Sequence, residues 1–521
     1  MKKIYLRAFA ISSLFLLSTY SCIGDLDVEN KVEPTLENLL QQDPNAVDGL
    51  LSRLYASFAL SSVSGPGDSD LGSTDNAGES PFIRGLVNLQ DFTADDLKNR
   101  WGDNGLDQLT TTSNWTSNNK FFGYVFNRIY YTIPQATNLI LIMKSNQVTY
   151  ANKEQVISEL RYLRALSYYY LIDFFGKGPL LNDETFNTST PLPETSRADL
   201  FKFAESELLA IESTLPASNS YGRANKACAR MLLAKLYMNA EVYTGTARYN
   251  DAAVMLNKII SEGGYQLESN FRKNFSADNN TSKEIIFPLI ADAVNSQSFG
   301  NTTYIVNGSL SSDDMTLANY GATEGWAGHR ATKAWYGLYG NTPTEILNNP
   351  DVRGHYFFTT GHTWEMTDYK TWTDGFPSVK FWNKNSDGTG VPTSFSSTDF
   401  PLFRYSDVLL MYAECALRGA SSANLNQALV YFNMVRERAG AAPFSSITLQ
   451  HILDERGREL NFEGMRRQDL IRFGKFTGGS YLWPWKGGVK DGTAIPDTYK
   501  LFPIPTTALQ ANPNLTQNPG Y

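Results

Sequence analysis

RYLRALSYYYLIDFFGKGPL, residues 161–180, sets Leu163, Leu166, Tyr170, Leu171 and Phe174 at spacings of three, four or one. On a helix these side chains draw one broad apolar stripe, so the stretch reads as a core helix. Gly176, Gly178 and Pro179 close it, because glycine accepts a left-handed C-terminal turn and proline cannot continue the hydrogen-bond ladder. A helix with so wide an aromatic face needs helical partners of similar design. Residues 225–262 and 402–438 supply them.

Outward from this helix the same pattern recurs in pairs. Residues 199–215 fit as its antiparallel partner through Leu200, Phe203, Ala204, Leu208 and Ile211. A second pair, 227–243 and 249–260, places small Ala234 and Ala253 where helices can approach closely, as in tetratricopeptide hairpins. Residues 403–418 and 424–438 make a third pair, and 450–473 begins a fourth. Toward the N-terminus, 121–144 reads as a helix that Pro134 kinks. Asn45 reads as the cap of another helix, which carries Val47, Leu50, Leu51, Leu54 and Phe58. Residues 25–40 read as an extended polar arm. The fold class is therefore mainly α: a tetratricopeptide-like scaffold of about four helix pairs, with repeats near 154–262 and 402–474. Two loop-rich insertions, 61–119 and 268–401, interrupt it; there apolar periodicity gives way to Ser, Gly, Asp, Asn and Thr. The second insertion holds short runs that suit strands (284–290, 356–359, 378–382) and one helix around 331–339.

Composition narrows the function classes. A hydrophobic fraction of 42% over 521 residues fills a large core, while three cysteines give no disulfide framework. Cys228 and Cys415 fall on repeat helices, where buried structural thiols are expected. The four histidines are scattered and none pairs with a cysteine at zinc-ligand spacing, and no motif calls for a cofactor. Residues 1–21 read as an export signal, with Lys2, Lys3 and Arg7, an apolar run from Ala8 to Leu17, and Ser21 before Cys22. Such a signal suits either lipidation of Cys22 or ordinary secretion with an incidental cysteine. Its removal takes away three positive and no negative charges, shifting the net charge from −8 to −11. An acidic mature chain, residues 22–521, disfavours nucleic acid and anionic lipid as ligands.

Five segments share the pattern of one family. They are RALSYYYLIDFFG at 164–176, Leu26-Asp27-Val28 after Cys22, FPLFRYSDVLLMYAE at 400–414, ERGRELNFEGMRRQDLIR at 455–472, and LFPIP at 501–505, close to Asn518-Pro-Gly. In this order they resemble the SusD/RagB family of outer-membrane nutrient-binding lipoproteins, across essentially the whole mature chain. The resemblance implies one SusD-like domain over 22–521, a lipid anchor on Cys22, surface exposure, and a SusC-like TonB-dependent transporter as partner. It implies binding of an oligosaccharide, or of a peptide as in the RagB branch, and no enzymatic activity.

The residues themselves favour a glycan. None of the nine tryptophans lies in 154–262 or 402–474. Sugar rings stack on indole and phenol faces while their hydroxyls need amides, carboxylates or guanidinium groups alongside. Trp101 is flanked by Asn99, Arg100, Asp103 and Asn104, and Tyr320 and Trp326 by Asn319, Glu324 and Arg330. The expectation is that Trp101 and Trp326 converge on one exposed aromatic platform with Tyr320 and Phe82 as neighbours, while Trp335, Trp382, Trp483 and Trp485 serve the core. The carboxylates Glu459 and Glu463 are spaced for glycoside hydrolysis. Nearby arginines compete for them: Glu463 can pair with Arg466 or Arg467, Asp469 with Arg472, and Asp454 with Arg458. That is the wrong setting for a general acid. Residues 68–75 offer alternating oxygen ligands but lack the glycine and glutamate of a calcium loop, and read as a solvated turn.

Overall fold

The computed structural model describes residues 35–72, 77–103, 105–145 and 147–521. The signal segment, Cys22, Leu26-Asp27-Val28, Asp75 and Asn104 lie outside the described residues. The expected extended arm already includes a helix, Leu36–Gln42, whose N-terminus is capped by the Thr35 hydroxyl accepting from the Asn38 N–H. Helix α1, Ala46–Ala56, follows, and its expected cap Asn45 makes no side-chain bond to it.

The first insertion is not loop-rich throughout. Phe82–Gln90 forms α2, and all nine of its residues are buried. Its polar side chains hid it, because they are internal connectors. Asn88 accepts from the Tyr304 hydroxyl at 2.8 Å, Gln90 donates to Asp173 at 2.8 Å, and Arg84 donates to the Gly78 carbonyl at 3.1 Å. A three-residue strand, β1 (Leu97–Asn99), comes next. Within the predicted turn at 68–75, of which residues 68–72 are described, Asp70 is tied to the core, pairing with buried Arg128 at 2.8 Å.

The helical scaffold is then laid down in succession. Helix α3 (Lys120–Lys144) continues through Pro134 as one element, with Asn119 capping the Phe121 N–H at 3.0 Å. Helix α4 (Lys153–Phe174) contains the stretch that decides the fold. It is more than striped: every residue from Val156 to Phe174 except Arg161 is buried. Phe174 is followed by Phe175 and by Gly176 at φ +71°, the expected left-handed stop. Helices α5 (Arg197–Ile211), α6 (Lys226–Met238) and α7 (Tyr249–Glu262) follow, each packed on the one before, and α3 packs on α4. Cys228 and Cys415 are both buried, and burial pushes the Cys228 thiol up to about 12.

The second insertion holds β2 (Ile285–Leu289) and β3 (His329–Ala331). Strand β4 (Phe400–Arg404) leads out of it, pairs antiparallel with β2, and delivers the chain to α8 (Tyr405–Leu417). Helix α8 packs on α7, so the repeat resumes where it was interrupted, and α9 (Leu425–Arg438) and α10 (Leu449–Leu460) pack against α8. The predicted helix 450–473 is broken. Phe462 at φ +69° and Gly464 at φ +71° turn the chain into α11 (Arg466–Arg472).

The charged motif at 455–472 is self-neutralised, but mostly through distant partners. Asp469 does pair with Arg472 at 2.8 Å. Glu463 pairs with Arg404 at 2.7 Å and Lys380 at 2.6 Å, Arg466 with Asp95 at 2.7 Å, and Arg458 with Glu455 at 3.4 Å. Burial alone would raise the Glu459 pKa, yet Arg438, Arg404 and Arg353 hold it well below the usual carboxylate range. No proton is available there for acid catalysis.

Candidate functional site

Two insertions, separated in sequence by the first block of repeats, are joined by one short ladder. Strands β1 and β3 pair antiparallel with Leu97 opposite Ala331, Lys98 opposite Arg330 and Asn99 opposite His329. The Arg100 N–H extends the ladder to the Gly328 carbonyl at 3.1 Å. Because the strands run in opposite directions, the chain leaving β1 and the chain entering β3 meet at the same end. Trp101 and Trp326 therefore come together, with ring centroids 6.5 Å apart and planes inclined by 55°.

Backbone bonds fix both indoles. The Trp101 Nε1–H donates to the Trp326 carbonyl at 2.9 Å, and the Trp101 N–H donates to the Asn99 side-chain oxygen at 2.7 Å. The Trp326 N–H donates to the Asn307 carbonyl at 2.7 Å, and its ring N–H reaches exposed Glu324 at 3.1 Å. Gly328 is required under the first indole, since a Cβ there would sit 2.4 Å from Trp101 Cζ2. Between them Ala327 takes φ +49°, a conformation that side chains rarely adopt, and it turns the chain sharply enough to present Trp326.

Beneath the indoles lies a closed polar core. His329 is fully buried, 5.3 Å from the Trp101 ring and 4.6 Å from the Tyr304 ring. Its Nε2–H donates to the Tyr304 carbonyl at 3.0 Å, and its Nδ1 accepts from the Asn99 amide at 2.9 Å. Burial, reinforced by the Arg84 and Arg330 guanidinium groups, pushes its pKa down to about 3, so the ring is neutral. The Arg84 guanidinium lies over the Tyr304 ring at 4.5 Å.

The aromatic contacts extend further than the sequence indicates. Half-buried Phe299 lies 6.3 Å from Trp326, and half-buried Phe395 lies 5.0 Å from Phe299. Trp101, Trp326, Phe299 and Phe395 form an arc in which neighbouring rings are tilted by 55°, 52° and 43°. The two phenylalanines sit in Ser- and Asn-rich sequence with no periodicity to single them out. The only available signal was an aromatic residue in a polar insertion.

The other expected members go elsewhere. Phe82 is 1% exposed and packs edge-on against Phe58 at 5.2 Å and Tyr170 at 4.8 Å. It serves α2 and the scaffold and cannot present a face to a ligand. Half-buried Tyr320 sits beside Arg272, whose guanidinium is stacked over Trp382 at 3.8 Å and Tyr356 at 4.6 Å, and among the described residues its ring pairs with none of those in the arc. Asn99 and Arg330, expected to meet sugar hydroxyls, are buried and committed. Arg330 donates to the carbonyls of Gly328, Thr371 and Asp374. The carboxylate of exposed Glu324, which accepts from the Trp326 ring N–H, remains at the edge of the arc. Trp335 and Trp483 are core residues, at 2% and 1% exposure, whereas Trp382 and Trp485 are half-buried. Among the described residues no group of three or more His, Cys, Asp or Glu could hold a metal ion.

Comparison with known proteins gives the same fold. The model of the SusD family matches residues 283–521. The starch-binding protein SusD of Bacteroides thetaiotaomicron is 31% identical over the whole length of both chains. A SusD-like protein of Bacteroides ovatus is 25% identical over 65% of this chain and 62% of its own. Among solved structures, a SusD superfamily protein from Parabacteroides distasonis superimposes with a TM-score of 0.71 at 20% identity, covering 92% of this chain and 99% of its own. Surface glycan-binding protein A from Bacteroides thetaiotaomicron, solved in complex with laminarihexaose, superimposes with a TM-score of 0.68 at 20% identity, covering 91% of this chain and 99% of its own.

Proposed function

Because the chain belongs to the SusD family, we propose that it is a surface lipoprotein of the outer membrane that captures an oligosaccharide on the Trp101–Trp326 arc and delivers it to a SusC-like TonB-dependent transporter. One observation carries the glycan reading: four half-buried aromatic rings follow one another in contact, the two indoles fixed by hydrogen bonds, with the exposed Glu324 carboxylate beside Trp326. Such a surface suits stacking of pyranose rings, whose hydroxyls are met by polar groups at the rim. Successive tilts of 55°, 52° and 43° mean that a ligand touching several rings must itself turn. A helically wound glucan satisfies that better than a flat ribbon. Binding without chemistry fits the carboxylates of the 455–472 motif, which are buried and ion-paired.

Calorimetry with maltoheptaose, laminarihexaose and cellohexaose tests the reading. Affinity is expected for one of the first two and not for the third. Trp326→Ala is expected to weaken binding at least tenfold, about 1.4 kcal/mol, with little change in Tm. Trp101→Ala should match it in affinity but also lower Tm, since its ring packs on Tyr304 and His329. Undiminished affinity in the double variant would overturn the assignment.

The anchor and the transporter rest on the family and on Cys22. Among the described residues no helix is long and apolar enough to cross a membrane. Replacing Cys22 with alanine is expected to release folded protein from the outer-membrane fraction of a strain lacking the transporter. Continued retention there would count against lipidation.

A further inference from the structure

A second polar and aromatic groove lies on α3, where the C-terminal segment crosses it. Two adjoining cavities of about 310 and 270 Å³ share Asn127 and Thr507 in their lining. The C-terminal wall is a short helix, Thr506–Ala511, here termed α12, and the residues that follow it. Thr506 pins that wall to the start of α3: its N–H donates to the Ser117 carbonyl at 3.0 Å, and its hydroxyl bonds the Ser117 hydroxyl at 2.9 Å and the Asn118 side chain at 2.7 Å. The floor is therefore built and does not depend on a ligand for its shape.

Its chemistry is neutral. Lys120 is the one charged residue in the lining of either cavity, and its ammonium is held by Glu79 at 2.7 Å. Apolar surface comes from half-buried Tyr130, fixed by its hydroxyl donating to the Pro179 carbonyl at 3.0 Å, while Tyr124 in the adjoining cavity is 6% exposed and adds little. Amide and hydroxyl groups come from Asn127 and Thr507, both exposed and neither side chain bonded among the described residues. Aromatic surface beside unengaged amide and hydroxyl groups, without net charge, suits a neutral saccharide.

Gly123 strengthens the assignment. It lies within α3 and lines the larger cavity, and a Cβ built on it meets no atom within 4 Å. Protein packing therefore does not demand glycine there, although glycine within a helix costs about 1 kcal/mol relative to alanine. Close approach of a ligand to the helix backbone is a reason for it.

We propose that this groove is a second saccharide subsite, one that holds a remote stretch of the same glycan whose free end or loop is gripped by the aromatic arc. It rests on the glycan reading above. Two weak contacts on one polymer act as an intramolecular pair and raise retention of long chains without changing affinity for short ones.

Gly123→Leu fills the groove from its floor and should leave Tm unchanged or raised. Calorimetry with the hexasaccharide and affinity electrophoresis in gels carrying the polysaccharide separate the two sites. With Gly123→Leu, polymer retention is expected to fall about threefold or more while hexasaccharide affinity stays at the wild-type value. Asn127→Ala combined with Thr507→Ala should behave alike. In the background of Trp101→Ala with Trp326→Ala, weak residual retention on the polymer should persist and vanish on adding Gly123→Leu. Wild-type retention by both groove variants would overturn the subsite while leaving the arc standing. Wild-type protein that binds neither hexasaccharide nor polymer would overturn the glycan reading itself.

Discussion

Protonation of His329 would place a charge beneath Trp101 and leave its second ring proton without an acceptor. Nδ1 already accepts from the Asn99 amide, and Asn99 cannot turn over to help, because its oxygen holds the Trp101 N–H. The folded pKa of about 3 lies below the ordinary value near 6.5, so the unfolded chain takes up the proton first as pH falls. The stabilising contribution is complete above about pH 6.5 and is lost as pH drops from there toward 3. Most carboxylates titrate below this window's upper part. Between pH 6.5 and 4.5 calorimetric Tm should therefore fall in the wild type and fall less steeply in His329→Gln. Equal slopes would show that this ring does not govern acid stability. Gly328→Ala tests the neighbouring constraint: the added methyl must displace the Trp101 indole, so glycan affinity should drop about tenfold with a smaller effect on Tm. The residues at this scale were partly legible. Trp101 and Trp326 could be chosen because stacking needs indoles in a polar setting, and their distribution was uneven along the sequence. The role of His329 could not, since a lone histidine gives no sign of what it will lie against.

Among the elements, the helices that pack through regular apolar spacing could be read directly, because periodicity is a local property. Helices α5 and α7 to α9 stand within four residues of their expected limits, whereas α4 begins eight residues before 161 and α6 ends five residues short of 243. Helix α2 could not be read, since Arg84, Asn88 and Gln90 look like loop residues until Gly78, Tyr304 and Asp173 are brought to them by the fold. Strands β1 and β3, three residues each, are too short for alternation to register. Tight packing of α2 on α3 gives one test. A Cβ at Gly85 would lie 2.4 Å from Val125 Cγ2, so Gly85→Val should destabilise the protein by about 1–3 kcal/mol in denaturant titration. In the repeats, Leu410 is fully buried on α8, and Leu410→Ala should cost about 2–5 kcal/mol. Wild-type unfolding midpoints for both variants would contradict these packing assignments.

Across the whole molecule, the second insertion and the late helices are bound by a buried ionic lattice. Arg404 on β4 reaches Glu284, Glu459 and Glu463; Arg353 reaches Glu455 and Glu459; Arg438 on α9 reaches Glu284 and Glu459. Removing one charge leaves its partners buried and uncompensated, so Glu459→Gln should cost about 3–5 kcal/mol in chemical unfolding, with the denaturant slope unchanged. A variant that unfolds at the wild-type midpoint would show that the lattice is not needed for stability. The sequence motif at 455–472 signalled ion pairing, but its distant partners lie beyond any local rule. The short ladder between β1 and β3 has a different kind of reach. Its rungs are closed by main-chain bonds and shored up by Asn99 and His329, and the segment past its end, 321–326, is held in turn by other stretches of chain: the Thr323 N–H donates to the Thr393 carbonyl at 3.3 Å, the Thr393 N–H to the Gly321 carbonyl at 3.1 Å and the Trp326 N–H to the Asn307 carbonyl at 2.7 Å. Change there is constrained at its buried members, since a Cβ at Gly321 would lie 2.1 Å from the Asn383 carbonyl oxygen and Ala322 is 2% exposed. Over evolutionary time such a loop is free to drift chiefly at its exposed positions, Thr323 and Glu324, and changing those two together should leave Tm at its wild-type value.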